Sequence, residues 1–162
     1  GYLPESGPLY YEMTPSAMLD FFADARGLSA ERKAERIEVV VDICDLSSVM
    51  YKPISKLSKG FKQRVGMSQA LLHDPDVLIL DEPTAGLDPN QIRGVRTTMR
   101  RLSETKTILL STHILQEVEA MADRVVMINE GRLVYDGDVE VLRKRGEGDL
   151  DEAFHVLTRE DN

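Results

Sequence analysis

The chain has 162 residues, enough for one domain with a substantial core. Its 28 acidic against 20 basic side chains leave a formal charge of −8, which argues against a nucleic-acid-binding surface but not against a phosphate site built from backbone N–H groups and helix ends. The lone cysteine, Cys44, excludes an internal disulfide, and no apolar run approaches the roughly 20 residues needed to span a bilayer.

In chain order, Ser6-Gly7-Pro8 reads as a turn. Thr14-Pro15 opens a helix, with Thr14 as N-cap and Pro15 at the first helical position. Met18, Leu19, Phe21, Phe22 and Ala25 make its predicted apolar face, and Gly27 closes it. Ser29 caps a second helix from Ala30 to about Cys44, in which Ile37, Val40, Val41 and Cys44 recur at helical spacing. Residues 46–56 read as irregular, with Pro53 barring a long helix. Leu57-Ser58-Lys59-Gly60 then leads into a helix to about His73. Ser58 is a natural N-cap. The free N–H groups at such a helix start favour an anion by about 0.3–1 kcal/mol, and Gly60 leaves room for a phosphate near the backbone.

Val77-Leu78-Ile79-Leu80 reads as a strand buried on both faces. Asp81 and Glu82 follow at its C-terminal end, where open α/β sheets place their ligands. Adjacent strand residues point to opposite sides, so one carboxylate can reach a metal while the other reaches a water. Pro83 is expected to hold Glu82 extended. Asp88-Pro89 starts another capped helix, to about Leu102, with Ile92, Val95, Met99 and Leu102 inward. A second buried strand, Thr107–Ser111, precedes His113 and a helix from Ile114 through Ala122. Val125–Ile128 and Leu133–Tyr135 form a hairpin around Asn129-Glu130-Gly131, and Val139–Arg143 and Leu150–Leu157 are closing helices beside a charged tail.

The stretch LSKGF (57–61) resembles the signature motif of ABC transporter ATPases, and DVLILDEP (76–83) resembles their Walker B strand. AGLD (85–88) is similar to the D-loop and STH (111–113) to the switch histidine, in the family's order and spacing. The opening GYLPE resembles the strand leading into the Q-loop, with Glu5 where many members carry glutamine. A carboxylate only accepts hydrogen bonds, so Glu5 can contact a metal but cannot donate as an amide does. Lys59 and Phe61 also depart from the commonest signature, which has glycine and glutamine there. The LSKGF form resembles the branch of bacterial exporters with separate type-2 permeases.

The resemblance implies an α/β fold: part of a RecA-like P-loop NTPase sheet with the ABC helical subdomain. It divides the chain into residues 1–13 (strand end and Q-loop), 14–56 (helical subdomain), 57–137 (signature helix and second half of the core) and 138–162 (C-terminal helices and tail). It further implies that Asp81 and Glu5 serve Mg²⁺, that Glu82 is the general base and that His113 contacts the γ-phosphate of ATP. Ser58, Lys59, Gly60, Phe61 and Asp88 would face nucleotide across a head-to-tail dimer with a second nucleotide-binding subunit. A membrane permease is the other implied partner, which puts the subunit on the cytoplasmic face of the membrane without insertion of its own. No GxxxxGK[ST] occurs in the chain. The family's P-loop precedes the Q-loop, so residues 1–162 are expected to be a piece of a longer subunit, inactive alone. A cytosolic ABC-type ATPase acting on ribosomes or DNA, and a non-catalytic interaction module, are the competing expectations.

Overall fold

The computed structural model describes residues 1–159 and divides them into two compact units, Gly1–Ser111 and Thr112 onwards. The first unit is a three-stranded parallel sheet with four helices. Strand β1 (Tyr2–Leu3) pairs with β2 (Val77–Asp81), and β2 with β3 (Thr107–Ser111). Gly1 extends the first pairing, since Ile79 N–H donates to its carbonyl at 2.8 Å. Helices α1 (Pro15–Ala25), α2 (Ala30–Ile43), α3 (Lys59–Leu71) and α4 (Pro89–Ser103) complete it. The connection 46–56 contains two short 3₁₀ turns, Ser47–Val49 and Ile54–Lys56.

The helix starts follow the capping chemistry written in the sequence. The Thr14 hydroxyl accepts from Ala17 N–H at 3.2 Å and that of Ser29 from Arg32 N–H at 3.3 Å. Gly27, at φ +70°, ends α1 in the left-handed conformation that glycine adopts without cost. Inside, the apolar face of α1 is narrower than its periodicity implied. Met18, Leu19 and Ala23 are buried, whereas Phe21 and Ala25 are exposed. Cys44 lies buried beside Val40, and burial pushes its thiol up to about 12.

The expectation of strands buried on both faces does not hold. In a parallel pair, residues in register share a face. Leu3, Leu78 and Leu80 are buried, and Leu3 packs into the notch left by Gly66 of α3. On the other face Tyr2, Val77, Ile79 and Leu109 are 54, 48, 42 and 58 % exposed. The helices of this unit cover one face, and the apolar run along β2 did not reveal which.

Arg36 is a buried cation that the helical periodicity did not flag. Its guanidinium donates to the carbonyls of Leu71 at 3.0 Å and Leu72 at 3.2 Å, capping the end of α3. It also lies 3.4 Å from Asp74, which receives Lys106 at 2.9 Å and Arg32 at 3.2 Å. The Lys106 hydrogen bond, then the Arg36 and Arg32 charges, hold the Asp74 carboxyl below its usual range. This cluster joins α2, the end of α3 and the start of β3.

In the second unit, helix α5 (Leu115–Met121) precedes an antiparallel hairpin of β4 (Arg124–Asn129) and β5 (Arg132–Asp138). Glu130 and Gly131 both have positive φ at its tip. Helices α6 (Val139–Arg145) and α7 (Leu150–Arg159) follow, and Val125, Met127, Tyr135, Leu142 and Leu150 form the core. Part of the expected charged tail, residues 160–162, lies outside the described residues.

Arg36→Ala strands two helix-end carbonyls and opens a gap, so it should lower unfolding stability by about 2–3 kcal/mol. Arg32→Ala, on an exposed side chain of the same cluster, should leave the denaturation midpoint nearly unchanged. Equal effects in urea titrations would show that the backbone caps are not what Arg36 contributes.

Candidate functional site

Strand ends of a parallel sheet all point one way, so their C-terminal edge gathers the loops that follow. Leu3 pairs with Leu80 and Asp81 with Ser111. Glu5, exposed two residues beyond β1, therefore leaves the sheet at the same end as Asp81. The Ser111 hydroxyl donates to Asp81 Oδ1 at 2.5 Å. That bond steers the half-buried carboxylate and leaves its second oxygen for another partner.

Glu82 is not extended, contrary to the expectation from Pro83. Its φ is +46°, in the left-handed region that non-glycine residues seldom occupy. Two hydrogen bonds impose this. Glu82 N–H donates to Ser111 O at 3.1 Å, continuing the ladder, while its own carbonyl accepts from Ala85 N–H at 3.0 Å, closing a turn. Leu87 N–H to Thr84 O at 3.1 Å closes the next one. The chain thus turns sharply at Glu82, and its strained φ persists because hydrogen bonds on both sides hold it.

The signature and D-loop stretches meet in this unit. Ser58 caps α3, its hydroxyl oxygen accepting from Phe61 N–H at 3.4 Å, and its own O–H remains able to donate. The N–H groups of Lys59 and Gly60 have no acceptor within the helix. Lys59 extends across Gly86, which has φ +67°. Phe61 is half-buried, with the Arg64 guanidinium 5.5 Å above its ring. Asp88 caps α4, accepting from Asn90 N–H at 2.9 Å and Gln91 N–H at 3.0 Å. Gln91 returns the bond, accepting from Asp88 N–H at 3.2 Å in a capping box. A Cβ on Gly60 would lie 2.6 Å from Gln91 Cδ, so that direction is filled from within the chain.

His113 belongs to the second unit and is exposed. Its neighbour Thr112 is fixed, accepting from Ile114 N–H at 3.1 Å and donating to Glu117 at 2.9 Å. Glu117 is almost fully buried and was not singled out by the sequence; an acid three residues after Ile114 was the available signal.

Among the described residues no three His, Cys, Asp or Glu side chains converge on a metal. Mg²⁺ does not need such a cage, because one or two carboxylates with water and phosphate oxygens suffice. Asp81 fits that demand, with an oriented carboxylate at the sheet edge. A phosphate cradle of the GxxxxGK[ST] type is not in the sequence.

An acidic couple at the C-terminal edge of a parallel sheet, followed by a capped helix, belongs to the class of α/β proteins that place their ligands at that edge. A family model described as "AAA domain, putative AbiEii toxin, Type IV TA system" matches residues 51–119. The chain is 38 % identical over 141 residues to an uncharacterized ABC transporter ATP-binding protein of Methanocaldococcus jannaschii, covering 86 % of this chain and 54 % of that one. It is 38 % identical over 135 residues to the ABC transporter ATP-binding protein NatA of Bacillus subtilis, covering 83 and 55 %. A solved structure titled "Structure of ATP binding subunit of ABC transporter" matches with a TM-score of 0.81 and 34 % identity, over 97 % of this chain and 67 % of that one. The chain belongs to the ABC transporter ATP-binding family. It spans about half the length of the curated relatives named here.

Because Glu82 holds a left-handed φ, Glu82→Asn, a residue type more at ease there, should keep unfolding stability or raise it by up to about 1 kcal/mol. A clear loss of stability in thermal denaturation would mean the carboxylate itself supports the turn.

Proposed function

We propose that residues 1–162 are the C-terminal two thirds of a nucleotide-binding domain whose complete subunit hydrolyses ATP to power export through a separate permease. The observation that carries this reading is the end of β2, where Ser111 steers Asp81 and the chain turns at Glu82 through a left-handed backbone. The two carboxylates at this edge are assigned different tasks. Asp81 would hold Mg²⁺, which when bound neutralises charge on the transferred phosphoryl group, and Glu5 leaves the sheet at the same edge to sense it. Glu82 polarises the attacking water as general base. His113 stabilises the charge that develops on the γ-phosphate. Little covalent chemistry falls to the protein, so these roles are positioning and electrostatics.

Ser58, Lys59 and Gly60 at the tip of α3, with Phe61 behind them and Asp88 beside them, face the nucleotide of a second subunit in a head-to-tail dimer. The permease meets the helical segment, where Tyr10, Phe21 and Phe22 form an aromatic group with centroids 5.4–6.0 Å apart and Tyr10 and Phe21 exposed. Among the described residues no helix is long and apolar enough to cross a membrane. In this reading the subunit works at the cytoplasmic face of the membrane through its permease.

The test is ATP hydrolysis by the subunit with its upstream residues restored, with and without permease-containing membranes. Glu82→Gln should lower turnover by about 10²-fold or more while ATP binding persists. Unchanged turnover would remove Glu82 from the role, and indifference to the permease would favour an ATPase not coupled to transport. Purified residues 1–162, lacking a phosphate cradle, should neither bind ATP tightly nor hydrolyse it; steady turnover by that chain would contradict the proposal.

A further inference from the structure

Glycines and long polar side chains face one another along the front between α3 and the D-loop with α4. Lys59 of α3 extends across Gly86, and Arg64 Nη2 lies 3.1 Å from where a Cβ on Gly94 would be. In the other direction Gln91 of α4 reaches over Gly60: Cδ, Nε2 and Oε1 stand 2.6, 2.7 and 3.0 Å from the place of a Gly60 Cβ. The same Oε1 accepts from Asp88 N–H at 3.2 Å. One carboxamide therefore caps the D-loop helix and roofs the second residue of the signature helix.

We propose that Gln91 is a positioning residue for ATP hydrolysis, joining the D-loop to the signature tip, and that its side chain has to be uncharged. A capping box accepts glutamate or glutamine at this position, and glutamate also suits the positive end of α4. Capping alone thus gives no reason to prefer the amide. The reason lies across the front. The first turn of α3 contains no acidic residue, carries Lys59 and Lys62 nearby, and has backbone N–H groups without helical acceptors. A carboxylate over Gly60 would satisfy that positive end from within the chain and compete with a phosphate for it. An amide fills the same space, keeps the cap and leaves the charge unanswered. Gly60 is then glycine because Gln91 needs the room, whatever approaches from a second subunit.

The inference rests on the proposed role of α3 in gripping nucleotide, and the experiment separates the two. It uses the complete ATP-binding subunit with its upstream residues, and reads melting temperature, binding of ATP to the monomer, ATP-driven dimerisation and turnover. Gln91→Glu should melt at the wild-type temperature or above and bind ATP as before, yet lose ATP-driven dimerisation and at least ~10-fold in turnover. Gly60→Ala should also lose turnover, because its methyl displaces the Gln91 carboxamide. Wild-type turnover in Gln91→Glu overturns the proposal. So does a lower melting temperature for that variant, which would make the defect a lost cap, and so does wild-type turnover in Gly60→Ala. Undiminished turnover in Glu82→Gln would instead strike the assignment of the hydrolytic site and leave the Gly60–Gln91 coupling standing.

Discussion

The first unit depends on the enclosure of α3. From Val65 to Leu72 every residue of this segment is buried, polar ones included. Ser68 is accommodated by donating to the Val65 carbonyl at 2.8 Å, within its own helix. Close approach is bought at two glycines, Gly66 receiving Leu3 from the sheet and Gly60 receiving Gln91 from α4. Arg36 ties off the far end by bonding its last carbonyls. A helix held on all sides cannot tilt without disturbing its neighbours. Its N-terminal tip, with Ser58, Lys59 and Gly60, is therefore delivered at a fixed place by packing rather than by loop contacts.

Strain at the end of β2 is the complement of that rigidity. A glutamate in left-handed geometry costs stability, and it persists because hydrogen bonds on both sides over-determine it. The ladder from Ser111 holds the N–H, and the turn to Ala85 holds the carbonyl. The turn leads through Gly86 to the Asp88 cap, so the couple of carboxylates and the D-loop are consecutive pieces of one hydrogen-bonded path. The signature tip packs on that path through Lys59 and Gln91. In the proposed hydrolytic role, whose chemistry is mostly positioning, these backbone bonds and glycine notches keep the parts registered.

Local chemistry was legible wherever the cause lay within one turn of chain. Thr14, Ser29, Ser58 and Asp88 each cap the helix expected of them, and Pro15 and Pro89 occupy first helical positions. The hairpin expected around Asn129-Glu130-Gly131 turns at Glu130 and Gly131, with the glycine taking positive φ without strain. What could not be read depended on partners distant in sequence. Pro83 argued for an extended Glu82, but Ser111, far along the chain, supplied the bond that turned it. Alternation along β2 gave no sign that only Leu78 and Leu80 would find cover. The burial of Arg36 has no signal in its own helix, because the carbonyls it caps are contributed by the end of α3.

The sequence by itself determined the family, because LSKGF, DVLILDEP, AGLD and STH are recognisable as strings, and the element order, because caps and periodicity act over a few residues. Tertiary structure alone decided which sheet face is covered, how Glu82 leaves its strand and what fills the space beside Gly60. Those outcomes follow from contacts between segments tens of residues apart. A linear pattern records which groups can pack, and only the folded chain records against what.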